Sequence, residues 1–230
     1  MQNVLLLTQI TYSLILRFSY SERVIGFCNS CLFIHMKTYQ LFINGHWVDS
    51  TSSQTEVVLN PSTGAVVANI QNGNEADAQL ALHAAKAAQV EWRRTPARAR
   101  GELLRAFAEE IRANKERLAK LLVEEQGKLL RVAEMEVEVT CSFIEYACDW
   151  ARQMDGDIVK SDNPNEHIWI HKIPRGVVTA ITAWNFPLAL AGRKIGPALV
   201  AGNTIIVKPT SETPLATLEL CDIANKVGVP

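Results

Sequence analysis

The chain has 230 residues, enough for one large domain or two small ones around an ample core. Hydrophobic residues make up 48% and charged residues 20%, the mixture of an ordinary soluble globular protein. Lys and Arg number 23 against 24 Asp and Glu, so no basic excess argues for nucleic acid and no acidic tail for a solvating linker.

The five cysteines, Cys28, Cys31, Cys141, Cys148 and Cys221, are odd in number and irregularly spaced. A disulfide framework is therefore not expected, and a reducing, cytoplasmic setting fits best.

Residues 1–35 differ in character from the rest of the chain. Val4 to Leu16 is apolar but interrupted by Thr8, Gln9, Thr11, Tyr12 and Ser13. It is shorter than the ~20 residues a bilayer span needs, and it lacks a positive leading region and a small-residue cleavage site. The expectation is a dispensable leader at 1–35, outside the fold and without a membrane role, and one domain at 36–230 starting from Met36-Lys37-Thr38. Cys28 and Cys31 have the spacing of zinc or redox pairs. With no second pair nearby and no alternating strand–helix pattern around them, the spacing reads as coincidence.

Two hairpins open the domain. Tyr39 to Ile43 and His46 to Val48 flank Asn44-Gly45, a strong two-residue turn signal. Glu56 to Leu59 and Val66 to Ile70 flank the turn cluster Asn60-Pro-Ser-Thr-Gly64. Asn74 then caps a helix to about Trp92, with Ala78, Leu82, Ala85 and Ala88 along one face. Thr95-Pro96 reads as the cap and first residue of a second helix striped by Leu103, Leu104, Phe107 and Ile111. Asn114 restarts the helix and Gly127 ends it.

A third long helix covers about Leu130 to Met154. Its apolar side is read as Val132, Met135, Val139, Phe143, Tyr146 and Trp150, with Glu134, Glu136 and Glu138 facing solvent and Cys141 and Cys148 as buried thiols. His167 to Ile173 alternates polar and apolar, the mark of a strand with one wet face. His167 and His171 share that face, but no third ligand follows, so no metal site is expected.

Val177 to Thr182 is β-branched and apolar between Gly176 and the Asn185-Phe186-Pro187 break, which predicts a buried strand. Leu188 to Val200 predicts a helix stopping near Gly202-Asn203, and Thr204 to Lys208 a second strand. Strand, helix and strand make a parallel unit whose ligand edge lies at the carboxyl ends of the strands, where Asn185 and Lys208 fall. Thr213-Pro214 starts a last helix through Leu218, Ile223 and Ala224. The fold class is therefore α/β, a partial doubly wound, Rossmann-like parallel sheet beside N-terminal hairpins and helices. From spacing alone, Asn185 remains a turn residue or an amide donor, and Lys208 a solvated lysine or a ligand.

Thr182-Ala-Trp-Asn-Phe-Pro187, Lys194-Ile-Gly-Pro-Ala-Leu-Val-Ala-Gly-Asn-Thr204 and Val207-Lys-Pro209 resemble the aldehyde dehydrogenase superfamily, as do Phe42-Ile-Asn-Gly-His-Trp47 and Asn60-Pro-Ser-Thr-Gly64. The similarity covers roughly Tyr39 to Pro230 and looks greatest to the lactaldehyde, glycolaldehyde and succinate-semialdehyde branch. It implies NAD(P)-dependent oxidation of a small-molecule aldehyde to an acid, with NAD or NADP as coenzyme and a homo-oligomer when the chain is complete. Asn185 is then the catalytic amide that stabilises the oxyanion. Backbone at Ile181, Thr182, Ala183 and Trp184 lines the nicotinamide side, and Lys208 and Ser211 meet the adenosine ribose. Ser211 stands where NAD-preferring relatives place a glutamate, so NADP is expected to be accepted at least as well as NAD.

The resemblance also implies that the family's nucleophilic cysteine and general-base glutamate lie in motifs that this sequence does not contain. The chain by itself is expected to be inactive. The alternatives are a CoA-acylating semialdehyde dehydrogenase, against which Trp184 argues because those relatives carry Phe there, and an inactive fragment acting only through subunit interfaces.

Overall fold

The computed structural model describes residues 37–230, and the expected leader at 1–35, with Cys28 and Cys31, lies outside them. The described chain opens on β1 (Thr38–Tyr39) and the antiparallel hairpin of β2 (Leu41–Ile43) and β3 (His46–Val48). Asn44 and Gly45 both adopt positive φ, 54° and 77°. That conformation matches the twist of the strands it joins.

β4 (Thr55–Leu59) and β5 (Val66–Gln71) form the second hairpin. Asn60 Oδ1 accepts from the Ser62 and Thr63 amides at 2.9 and 3.2 Å, and the chain returns through Gly64. The sequence pattern puts β1 inside the first hairpin; it instead pairs parallel with β5, making a three-stranded β1-β5-β4 sheet.

Asn74 begins α1 (Glu75–Trp92) with a reciprocal cap: its side chain accepts the Asp77 amide at 3.1 Å while Asp77 accepts the Asn74 amide at 2.9 Å. The far end of α1 holds the sheet that carries the site. Gln89 accepts from the Thr204 amide at 2.8 Å and donates to the Gly202 carbonyl at 2.9 Å, and Trp92 Nε1 donates to the Leu199 carbonyl at 3.0 Å.

α2 (Ala97–Ala113), α3 (Lys115–Gln126) and α4 (Leu130–Asp149, continued by a short 3₁₀ turn at Trp150–Arg152) pack around Leu104, Phe107, Ile111, Leu118, Leu122 and Ile144, all fully buried. Each large side chain so removed from water contributes roughly 1.5–3 kcal/mol. Pro96, not Thr95, occupies the cap position of α2, and the Thr95 hydroxyl donates back to the Glu91 carbonyl at 3.2 Å. Gly127 ends α3 in the left-handed region at φ 76°.

α4 buries a different face from the one expected. Its inner side is Ala133, Glu136, Val137, Thr140, Cys141, Ile144, Ala147 and Cys148. Met135, Val139, Tyr146 and Trp150 are exposed, and Val132 and Phe143 are half-buried. Glu136, expected in solvent, is 0% exposed. Close approach explains the choice of face. α4 lies so near α5 (Pro187–Val200) that a Cβ added at Gly192 would fall 2.6 Å from Thr140 Cγ2, and one at Gly196 would fall 3.0 Å from Ala147 Cβ. Only small side chains fit that seam, so the large apolar ones are left outside.

β6 (Asp157–Lys160) and β7 (His167–Ile170) form an antiparallel ribbon in which every residue is exposed. The alternating pattern at His167 to Ile173 therefore has no dry face among the described residues, because no described element packs on the ribbon. The expected parallel unit is present: β8 (Val177–Ile181), α5 and β9 (Thr204–Lys208), with Val177 opposite Thr204 and Ile181 opposite Lys208. α6 (Leu215–Lys226) closes the described chain, and Pro214, not Thr213, stands at its cap position. The architecture is α/β with both parallel and antiparallel sheets.

Candidate active site

The register of β8 and β9 brings their carboxyl ends side by side, the edge at which open α/β sheets bind ligands. The Thr182 amide donates to the Lys208 carbonyl at 3.2 Å, so the ladder runs one step past β8. Ile181, at the end of β8, is 68% exposed, and Trp184, beyond the ladder, is 61% exposed. Ala183 is half-buried, and Asn185 and Phe186 are exposed. Thr182 is buried, and its hydroxyl has no hydrogen-bond partner among the described residues. Across from them Lys208 is exposed with Nζ 3.4 Å from the Pro209 carbonyl, and Ser211 and Glu212 are exposed in the loop between β9 and α6.

Helices fix the backbone of the turn that carries Asn185. The Trp184 carbonyl accepts from Thr213 Oγ1 at 3.3 Å. The Asn185 carbonyl accepts from Lys128 Nζ at 3.2 Å and from Gln126 Nε2 at 3.4 Å. The Phe186 carbonyl accepts from the Leu190 amide at 2.9 Å, and the Pro187 carbonyl from Thr217 Oγ1 at 3.2 Å. Each carbonyl from Trp184 to Pro187 is therefore occupied, while the Asn185 side chain has no partner among the described residues and stays free to donate.

Two buried carboxylates complete the frame. Glu136 Oε1 accepts from the Leu188 and Ala189 amides at 2.9 and 3.2 Å, capping α5, and its Oε2 is paired with Lys128. Glu125 accepts from the Leu215 and Ala216 amides at 2.6 and 2.9 Å, capping α6. Both carboxyl groups sit at the N-terminal ends of helices, where otherwise unpaired amides need acceptors. Burial pushes the Glu125 carboxyl up to about 7; the Ala216 and Leu215 amides and Lys128 oppose that rise, and Glu136 adds to it. Lys128 Nζ also lies 4.6 Å from the centre of the Phe186 ring, over its face.

Sequence reasoning placed Asn185 and Lys208 beside the strand ends, as the structure has them, but did not connect Gln126, Lys128, Glu125, Glu136, Thr213 and Thr217 with that turn. No local pattern marks them. Glu125 and Glu136 accept from amides 90 and 52 residues away. The thiols do not join the site. Burial pushes Cys141 and Cys148 up to about 11, and Cys221 is raised to about 12 by desolvation and then by Asp222. No group of three or more metal-ligating side chains occurs among the described residues.

Residues 47–230 match the aldehyde dehydrogenase family. The chain belongs to that family.

Among its aldehyde dehydrogenase relatives, a 3,6-anhydro-alpha-L-galactose dehydrogenase of Vibrio sp. (strain EJY3) is 70% identical over 195 residues, covering 85% of this chain and 41% of that protein. A lactaldehyde dehydrogenase of Escherichia coli (strain K12) is 40% identical, covering 84% of this chain and 40% of that protein. A solved 3,6-anhydro-L-galactose dehydrogenase, in complex with NADP, superposes with a TM-score of 0.82 at 66% identity over 84% of this chain and 41% of its own. The expected lactaldehyde branch is thus represented, but a sugar-aldehyde relative is considerably more similar. The chain spans about two-fifths of the length of the curated relatives it matches.

Proposed function

We propose that the protein containing this chain oxidises a small polar aldehyde to a carboxylic acid, using NAD or NADP as hydride acceptor. The observation that carries this reading is the Asn185 turn, whose backbone carbonyls are all bonded while the Asn185 side-chain amide is left free, among the described residues, beside the paired ends of β8 and β9. An amide held that way donates to an oxygen that gains negative charge when a nucleophile adds to the carbonyl, without reorganising as it does so.

The residues present fit a dinucleotide. An exposed apolar edge at Ile181 and Trp184 suits a flat ring, the orphaned Thr182 hydroxyl suits a polar partner, and the Lys208 ammonium, with one long contact to the Pro209 carbonyl, suits ribose hydroxyls or a phosphate. When bound, the nicotinamide ring supplies the hydride acceptor. Ile181, Thr182, Ala183 and Trp184 orient it from one strand end, and Lys208 and Ser211 hold its adenosine ribose from the other.

The nucleophilic thiolate and the general base are assigned to parts of the whole protein outside this sequence. The raised pKa values of Cys141, Cys148 and Cys221 support that assignment, since none of these is a thiolate near neutral pH. The chain alone is accordingly proposed to turn over no aldehyde. NADPH formation by the purified 230-residue chain with 3,6-anhydro-L-galactose and NADP would overturn this.

For substrate, the 70% identity to a 3,6-anhydro-alpha-L-galactose dehydrogenase favours a cyclic sugar aldehyde over lactaldehyde, which is the second choice. The exposed β6–β7 ribbon and the outward Tyr146 and Trp150 support assembly into a homo-oligomer. The irregular cysteines support the cytoplasm. Among the described residues no helix is long and apolar enough to cross a membrane.

The test is Asn185→Ala in the whole enzyme, read in single turnovers so that product release does not mask the step. Loss of one oxyanion donor lowers the rate by about 10²–10³-fold. A change of less than about threefold removes Asn185 from the chemistry.

A further inference from the structure

Among the described residues the Asn185 side chain has no hydrogen bond to hold it, so its aim depends on its backbone. Two buried charges from outside the βαβ unit hold that backbone from both sides. Lys128, the second residue after α3, donates to the Asn185 carbonyl at 3.2 Å and lies over the ring of Phe186 at 4.6 Å. Glu136, nearly two turns into α4, binds Lys128 with one carboxylate oxygen and with the other accepts the Leu188 and Ala189 amides at 2.9 and 3.2 Å. Both side chains are desolvated, 8% and 0% exposed. A buried lysine or glutamate is rarely retained without its partner, and neither contacts the open edge where substrate and coenzyme would lie. The pair therefore ties Asn185, two residues before the turn's proline, to Leu188 and Ala189, the two after it.

We infer that Lys128 and Glu136 are positioning residues for the oxyanion donor: the pair sets where the Asn185 amide points, and so acts on the transition state through Asn185. This rests on the catalytic reading of Asn185 under the proposed function. A misplacement of about 1 Å at such a donor is enough to cost on the order of 10²-fold in rate. Because the contacts are to backbone atoms, the effect falls on the rate of the chemical step and leaves coenzyme affinity at Lys208 untouched.

The experiment is a double-mutant cycle in the whole enzyme, with 3,6-anhydro-L-galactose and NADP as the probes. Asn185→Ala, Lys128→Met and the double variant are compared by single-turnover rate, KM for NADP and Tm. We expect Lys128→Met to lower the rate at least tenfold with KM for NADP within twofold. In the Asn185→Ala background it should lower the rate by less than about twofold further, while the fall in Tm is the same in both backgrounds. Lys128→Arg, which keeps a charged donor, should recover part of the rate, and it stands in if Lys128→Met does not fold. Equal losses in both backgrounds mean that Lys128 supports the fold generally, and overturn the positioning role alone. An Asn185→Ala effect below threefold overturns the catalytic reading, and the positioning role with it.

Discussion

Glu125 and Leu215, 90 residues apart in sequence, meet at 2.6 Å, carboxylate oxygen to backbone amide, at the start of α6. The Glu125 side chain is buried and reaches a pKa of about 7 from an ordinary 4.5, chiefly through desolvation. The folded value lies above the unfolded one, so the folded state binds more protons between those limits. This group's contribution to stability is therefore fully present below pH 4.5 and is lost as pH rises through about 7. The shift corresponds to a few kcal/mol at most, at about 1.4 kcal/mol per unit. Glu125→Gln should flatten the decline in Tm from pH 5 to 8 relative to the unsubstituted chain. An unchanged slope in a paired thermal titration would remove Glu125 as its source.

Glu219 titrates in the opposite sense. Burial raises its pKa, but the side-chain bonds from Lys37, Tyr39 and Arg117 outweigh that and lower it to about 2. Its contribution is present above pH 4.5 and lost as pH falls toward 2. Glu219→Gln should narrow the gap in stability between pH 5 and pH 3, measured by denaturant titration at each pH. A gap as wide as that of the parent chain counts against the assignment.

The two faces of α4 give a sharp contrast. Ile144 is fully buried, whereas Met135 is 51% exposed. Ile144→Ala should cost about 2–5 kcal/mol through lost burial and a residual cavity, while Met135→Gln on the isolated chain should change stability by less than about 0.5 kcal/mol. Urea denaturation of both variants decides it, and similar costs would mean the helix is turned the other way.

That helix also shows where the sequence stops being legible. Two stripes run along it, a bulky one through Met135 and Tyr146 and a small one through Ala133, Val137 and Ala147. A hydrophobicity pattern favours the bulky stripe. The decision belongs to α5, whose Gly192 and Gly196 admit only small partners, and that pairing is not visible within α4. The parallel strands β8 and β9 were legible almost to the residue because β-branched runs bounded by Gly176 and the Asn185-Phe186-Pro187 break leave few alternatives. The caps on α5 and α6 were not, because their carboxylates come from α3 and α4. Of the candidate site, the residues facing the open edge could be read, and those holding them in place could not.

Gly127 separates Gln126 and Lys128, both of which bond the Asn185 carbonyl. Its φ is +76°, and an added Cβ would lie 2.8 Å from Pro61 Cγ. Gly127→Ala should therefore lose at least about 1 kcal/mol, from left-handed strain with a collision added. In hydrogen exchange it should also speed the amides of Leu188 and Ala189. Unchanged exchange there would show that the α3 terminus does not hold the turn.

Coenzyme choice can be tested at Ser211. It is exposed three residues after Lys208, with Glu212 displaced by one. A hydroxyl can donate to a 2′-phosphate that a carboxylate would repel. In the whole enzyme Ser211→Glu should lower kcat/KM for NADP relative to NAD by tenfold or more, about 1.4 kcal/mol. A parent that already prefers NAD by that margin refutes the role given to Ser211.

The bonds from Lys37 and Tyr39 to Glu219 span 182 and 180 residues, which gives them a consequence during synthesis. At roughly 5–20 residues per second, the ribosome needs about 10–40 s to make the partner after Tyr39 has emerged. β1 cannot settle by local contacts, since its strand partner β5 and its anchor on α6 both come later. Protease added to stalled nascent chains should cut beside Tyr39 until α6 has left the exit tunnel. β1, the first described strand, is thus among the last of the described strands to be secured, and for that interval a ring that the finished fold hides stands open to whatever the cell offers it.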